Sequence, residues 1–250
     1  TIASVGDMMI GTDYPQNHLP DDDGVGFLAD VTPVLTGADV AFGNLEGVLV
    51  DGGEPAKKCS NPSACYLFRS PSRYAAHYSA AGFDVMSLAN NHARDFGEEG
   101  RTATMQALAA AGIRHSGREG DFASFEVNGL RVAVLAYAVT KQSNMLLDYE
   151  LAEQTVAEYA ATHDIVMVTF HGGAEGVDRD SAPLILRAAF RIVQRHHLDG
   201  DLFADDGRVD SFTVVSFTEE TVKLDANHPL AGRSLILQIE VVSIDRPTLN

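Results

Sequence analysis

Apolar positions along the chain follow two alternating rhythms. Residues 1–10 carry Ile2, Val5, Met8 and Ile10 around Gly6-Asp7 and predict a buried strand. Residues 25–35 have helical spacing. Residues 38–42 form a short apolar strand that runs into Gly43-Asn44-Leu45-Glu46-Gly47. The stretch 50–70 is rich in Gly, Pro, Ser and Lys and predicts a long loop. Pro71 opens a helix reaching about residue 81, at a position where its missing N–H costs nothing. A strand over 83–88 then ends in Ala89-Asn90-Asn91-His92, and a helix over 97–111 stops at Gly112. Asn128-Gly129 inside 122–137 predicts a hairpin. A helix over 149–161 and an apolar strand over 165–170 follow, the latter ending in His171-Gly172-Gly173.

Strands alternating with helices predict an α/β domain, in which polar residues just past the carboxyl ends of strands converge on one crevice. Asp7, Asn44, Glu46, Asn91, His92 and His171 all occupy such places. Beyond residue 177 the texture changes. A helix is expected over 182–198, an acidic, Gly-containing linker over 199–207, and only β pattern thereafter, at 212–217, 221–224 and 234–244. The chain therefore divides into an α/β unit at 1–177, a helix and linker at 178–210, and a β tail at 211–250. A lone β tail has open edges, so it is expected to dock on the α/β unit or to drive self-association.

Composition narrows the partners. The chain has 250 residues, 45% of them hydrophobic, which suits a globular protein with a real core. Eighteen Lys and Arg against thirty-five Asp and Glu leave a net charge of −17, which disfavours nucleic acid as a partner. The same field gathers divalent cations, and an anionic substrate would need a metal or an arginine cluster to reverse the local potential. The two cysteines, Cys59 and Cys65, share the long loop. A local disulfide, implying an oxidising compartment, competes here with two free thiols or a weak soft-metal pair. The chain opens at Thr1 directly into strand pattern, as a trimmed mature product would.

The strand-end residues suit a divalent site. Carboxylates neutralise the ion, an amide oxygen adds a neutral ligand, and imidazole selects Mn, Fe or Zn over Ca. One or two such ions can activate water and clamp a phosphoryl group. Each residue has a plainer alternative: Asp7 as a turn cap, Asn44 and Asn91 as loop-holding amides, His92 and His171 as solvated imidazoles. Glu46, in an apolar context, is the hardest to explain otherwise. His18, His77, His115 and His163 lack acidic partners at ligand spacing and are expected at the surface, and His196-His197 closes a helix where imidazolium meets the dipole. The Asp21-Asp22-Asp23 run is expected to be a solvated loop at a helix start.

Five strings, in order, resemble the CapA-type capsule-synthesis family: Gly6-Asp7-Met8-Met9-Ile10-Gly11, Gly43-Asn44-Leu45-Glu46-Gly47, Phe68-Arg69-Ser70-Pro71, Ser87-Leu88-Ala89-Asn90-Asn91-His92 with Asp95-Phe96-Gly97, and Phe170-His171-Gly172-Gly173-Ala174-Glu175. The resemblance covers about 1–176. It implies a calcineurin-like metallophosphatase fold, a four-layered α/β/β/α sandwich, and a role in poly-gamma-glutamate biosynthesis. It also implies metal ligation by Asp7, Glu46, Asn91 and His171; Asn44 is expected as a further ligand from its strand-end place alone. By the same likeness His92 protonates a leaving group or steadies a transition state. An extracytoplasmic location, a small-molecule or polyanionic polymer substrate and a membrane-associated capsule machinery follow from the same resemblance. The family's further Gly-His-x-x-His element has no counterpart after Gly176, so the sandwich is expected to be incomplete at its C-terminal end and its metal to be held less tightly.

The tail resembles the last strands of SlyD-type FKBP prolyl isomerases through Asp225-Ala226-Asn227-His228-Pro229-Leu230-Ala231-Gly232. Three functions therefore compete: a metal-dependent hydrolase or ligase-associated capsule protein, a non-catalytic scaffold with a decayed site, and an FKBP-type isomerase or chaperone module.

Overall fold

The computed structural model describes residues 1–58 and 65–172, together with the backbone of five strands between 201 and 238. In chain order the elements are β1 (Ile2–Met8), α1 (Thr32–Leu35), β2 (Val40–Leu45), β3 (Val48–Leu49), β4 (Arg69–Ser70), a 3-10 turn (Ser72–Tyr74) leading into α2 (Ala75–Ala80), β5 (Val85–Ser87), α3 (Gly97–Ala110), β6 (Arg114–Ser116), β7 (Ala123–Val127), β8 (Leu130–Ala138), α4 (Tyr149–Ala160) and β9 (Ile165–His171). The chain is α/β, as the alternation predicts.

β1, β2, β5 and β6 form a parallel sheet in the order β1-β2-β5-β6. A second sheet, β7-β8-β9, joins an antiparallel hairpin to a parallel strand. The hairpin turns at Asn128 and Gly129, which both have positive φ (51° and 77°), as a type I′ turn demands. The two-residue pair β3–β4 is also parallel.

Period-two alternation decides how the layers stack. On β2, Ala41 and Leu45 point outward into a core shared with Leu35 of α1, Tyr78 of α2, Leu108 of α3 and Met86 of β5. Val40 and Phe42 point the other way, meeting Val85, Ala123 and Val134, so the two sheets face each other through this second core. On β8, Ala133, Leu135 and Tyr137 turn outward against Ala152 and Val156 of α4. Burying a side chain such as Phe42 contributes about 1.5–3 kcal/mol, so this inter-sheet layer fixes the spacing of the strand ends. Gly117 closes the first sheet at the same edge. Its φ is 138°, and a Cβ there would sit 2.3 Å from the Ala89 backbone nitrogen.

One expectation is corrected and one element is new. The helix over 25–35 reduces to four residues of α1. Asp22 accepts from the backbone N–H of Gly24 and Gly26, i→i+3 bonds run through Val25, Phe27, Ala29 and Val31, and this turn chemistry outcompetes the helix. The Asp run is largely exposed, as expected, with Asp23 paired to Arg73. β6 was absent from the sequence reading.

In the last part of the chain, β10 (Asp201–Phe203) lies within the stretch read as acidic linker, and it pairs antiparallel with β11 (Val209–Ser211) and β14 (Ile236–Gln238). β12 (Thr213–Phe217) pairs antiparallel with β13 (Val222–Asp225). β12, β13 and β14 fall where β pattern was expected, β10 and β11 ahead of it, and nothing in these strands establishes an FKBP-like tail. The expected helix at 182–198, His196-His197 and the string from Ala226 to Gly232 lie outside the described residues.

Candidate metal centre at the strand ends

Asp7 lies near the carboxyl end of β1, Asn44 in β2, Glu46 just past β2, Asn91 and His92 just past β5, and His171 at the end of β9. The first sheet supplies all but His171. The second sheet delivers that one, in register with Ala138 of β8. Gly47, at φ 113°, turns the chain away after Glu46; a Cβ there would meet the Phe68 side chain at 2.8 Å.

The side chains converge. His171 Nε2 lies 2.9 Å from Asn91 Oδ1 and 3.3 Å from Glu46 Oε1, and its Nδ1 lies 3.7 Å from Asp7 Oδ1. Ligand atoms of Asp7, Glu46 and His171 all fall within 4.8 Å of one another. The Glu46 side chain is 10% exposed, His171 23% and Asp7 55%, so the group sits in a crevice open on the Asp7 side.

A ladder of amides holds it. The backbone N–H of His92 donates to Asn90 Oδ1 (3.0 Å), and Asn90 Nδ2 donates to Leu45 O (2.8 Å) and to Asn44 Oδ1 (3.1 Å). Asn44 Nδ2 then donates to Asp7 Oδ1 (2.7 Å) and Glu46 Oε1 (3.2 Å). Each bond dictates which end of the next amide is oxygen. Asn44, counted among the ligands from sequence, thus turns its nitrogen to the carboxylates and serves as a clamp on them. Its oxygen is spent on Asn90.

The two acids are driven apart. Burial pushes the Glu46 carboxyl up, and the neighbouring Asp7 charge adds to this, while the nearby imidazoles and the Asn44 amide pull against it. For Asp7, burial also acts upward, but hydrogen bonds from His171 and Asn44 and the charge of His171 and His92 outweigh it, leaving the carboxyl below its usual range. A cation would relieve the repulsion at Glu46 directly. Two carboxylates, an imidazole and an amide oxygen form a donor set that fits Mn, Fe or Zn.

His92 stands beside the cluster, buried, with Nε2 3.7 Å from Glu46 Oε2. Its Nδ1 bonds Asp95 Oδ2 at 2.7 Å, and its ring lies on Phe68 with centroids 4.2 Å apart. Asp95 is fully buried; it also accepts from the Phe68 backbone N–H (2.8 Å) and pairs with Lys57 at 3.5 Å. The Asp95 bond fixes the proton on Nδ1 and leaves Nε2 facing the cluster, as a proton-transferring imidazole requires. Asn90 and Asp95 stand in the strings that carry the resemblance but have no role assigned from sequence, and Lys57 carries no signal there. The signal for Asp95 was its place three residues after His92.

The other histidines divide. His115 does have an acidic partner, Asp121, at 2.8 Å, contrary to the sequence reading. His77 bonds the Asp23 carbonyl and His163 bonds Ser124. Cys65 is disulfide-bonded, and Cys59, the chain's only other cysteine, lies outside the described residues.

Residues 1–184 match the family model described as bacterial capsule synthesis protein PGA_cap. The chain belongs to that family. It is 27% identical over 235 residues to the capsule biosynthesis protein CapA of Bacillus anthracis, covering 79% of this chain and 54% of that protein. It is 40% identical over 86 residues to a probable polyglutamine synthesis accessory protein of Mycobacterium tuberculosis, covering 34% of this chain and 21% of the relative. A Sinorhizobium fredii protein, y4sH, is 32% identical over 121 residues, covering 47% of this chain and 24% of that protein. The PGA_cap chain thus spans between about a fifth and about half of the length of these relatives. No helix among the described residues is long and apolar enough to cross a membrane.

Proposed function

We propose that this PGA_cap chain carries a divalent-metal site in a metallophosphatase-like α/β/β/α sandwich over about 1–177, and performs hydrolase-type or ligase-associated chemistry in the synthesis of a capsule polyglutamate. The observation that carries the reading is the convergence of Asp7, Glu46 and His171 within 4.8 Å, with Asn91 against His171. These four would hold the ion, and Asn44 would hold the carboxylates. A bound divalent ion supplies Lewis acidity and a water nucleophile at neutral pH. The chain's own groups orient the donors, and His92, held through Nδ1 by Asp95, gives a proton from Nε2 to the departing group. The disulfide at Cys65 supports an extracytoplasmic setting, where such bonds persist. The substrate is a small molecule or a polyanionic polymer, presented by membrane-associated capsule machinery.

One observation favours a second reading, a non-catalytic scaffold. Asn44 Nδ2 donates to both carboxylates and His171 lies against Glu46, so protein groups could hold the two acids by themselves. Elemental analysis of purified protein, paired with phosphomonoester and phosphodiester assays, separates the two. Stoichiometric Mn, Fe or Zn that is lost in Asp7→Ala, with turnover lost in His92→Ala while metal stays, supports the first reading. Metal-free, inactive wild-type protein supports the second.

A further inference from the structure

Two residues along the chain from His92 begins a group of opposite sign. Among the described residues, three guanidiniums share the carboxylate of Glu98, at the start of α3. Arg101 Nη2 lies 2.5 Å from Oε2, Arg94 Nε 3.3 Å from Oε2 and Arg118 Nη2 3.2 Å from Oε1. Arg94 and Arg101 also reach Gln142, one through its side-chain oxygen and the other through its backbone carbonyl at 2.6 Å. The network carries three positive charges against one negative, in a chain whose net charge is −17.

Its members differ. Arg101 is 5% exposed and clamps the loop after β8 to α3, which is structural work. Arg94 is 37% and Arg118 44% exposed, and Glu98 is the sole carboxylate either one pairs with. Three atoms of the group are buried without a hydrogen-bond partner: Arg94 Nε, which faces Glu98 out of alignment, Arg101 Nε, and Glu98 Oε1, which Arg118 meets only as an ion pair. Unspent guanidinium donors at a place of net positive charge are what an incoming oxyanion completes. The position is also apt. Arg94 follows His92 by two residues, and Gln142 lies in the loop leaving β8 at Ala138, the residue in register with His171.

We propose that Arg94 and Arg118 form an oxyanion subsite that takes a carboxylate or phosphate of the substrate away from the reacting centre. This rests on the reading of the strand-end cluster as that centre. The subsite supplies the local reversal of potential that an anionic substrate needs on an acidic protein. Bidentate pairing by either arginine would draw it off Glu98, so Glu98 occupies the subsite as an internal competitor.

Calorimetric titration of the whole chain with hexaglutamate and, separately, with inorganic phosphate tests this. The wild-type protein is expected to bind at least one of them, with affinity falling as salt rises. Binding of hexaglutamate alone identifies a carboxylate chain as the source, and binding of phosphate alone identifies a phosphate group. Arg94→Gln with Arg118→Gln should weaken binding at least about tenfold, the loss expected for two charge-assisted contacts. Glu98→Gln should tighten it severalfold, which a merely structural network would not do. Arg118→Gln alone, at an exposed side chain with one ion pair, serves if the double variant does not fold. Absence of binding to either anion, or equal affinity in wild type, the arginine variants and Glu98→Gln, overturns the subsite. Thermal shifts with Mn²⁺ on the same proteins test the metal centre separately: a retained shift with no anion binding refutes the subsite alone, and retained anion binding without a shift refutes the centre alone.

Discussion

Replacing Asp95 by asparagine removes a charge from beneath His92 while keeping the side chain's shape. Oδ2 of Asp95 accepts from both His92 Nδ1 and the Phe68 backbone, at 2.7 and 2.8 Å, and the residue is fully buried. An amide oxygen could still accept both bonds, but without charge assistance. Hydrogen bonds to charged groups are worth about 1.5–3 kcal/mol against about 0.5–1.5 for neutral ones, so the two together lose about 2 kcal/mol. The amide nitrogen would then face Lys57 Nζ, which pairs with Oδ1 at 3.5 Å, setting donor against donor. Because Lys57 is partly solvated, that adds at most about 1 kcal/mol. The expected cost of Asp95→Asn is therefore about 2–3 kcal/mol, a drop in melting temperature of about 4–12 °C for a domain of this size. Urea unfolding with an unchanged slope should report the same loss. Imidazole NMR should show the His92 Nδ1 proton less firmly held. A variant within about 0.5 kcal/mol of wild type, the range of ordinary surface substitutions, would refute the claim that Asp95 anchors the histidine.

Mn²⁺ or Zn²⁺ at a hundred times its dissociation constant should stabilise the chain by about 2.7 kcal/mol, a thermal shift of about 5–11 °C. Asp7→Ala or His171→Ala should abolish most of it, and an equal shift in both variants would end the assignment. Burial raises the Glu46 carboxyl, so the stability contributed by its protonated form is present in acid and lost as pH rises through the raised folded value. Glu46→Gln should therefore make the ion-free protein more stable than wild type at pH 8 but not at pH 4, by urea midpoint, while removing the metal response. Thiol titration of denatured, unreduced protein should find no free thiol; two would contradict the bond at Cys65.

The first sheet's strands at Val40 and Val85, the hairpin at Asn128-Gly129, α3, α4 and β9 were legible because local pattern and tertiary environment agree there. The 25–35 helix was misread because apolar spacing was weighed above Gly24, Gly26 and the Asp22 side chain, which favour turns. β6 escaped because Arg114-His115-Ser116 has almost no apolar signal; only its parallel pairing with β5 at the edge of the first sheet makes it a strand. Within the site, residue type marked the acids and histidines, but not the direction of an amide. Asn44 and Asn91 look alike in sequence. Their opposite orientations arise from partners at Asn90 and His171, the second of which is 80 residues away.

That the donor set is divided between two sheets has a kinetic consequence. The donors Asn91 and His171 are 80 residues apart in the chain, so no early local nucleus can contain both. A cation that needs the assembled crevice has nothing to bind until the sheets have docked. It would then act almost wholly on the unfolding limb, lengthening the lifetime of the folded chain while leaving the rate of its formation nearly untouched. Lifetime of the folded chain, rather than its rate of formation, is then the quantity the cation sets.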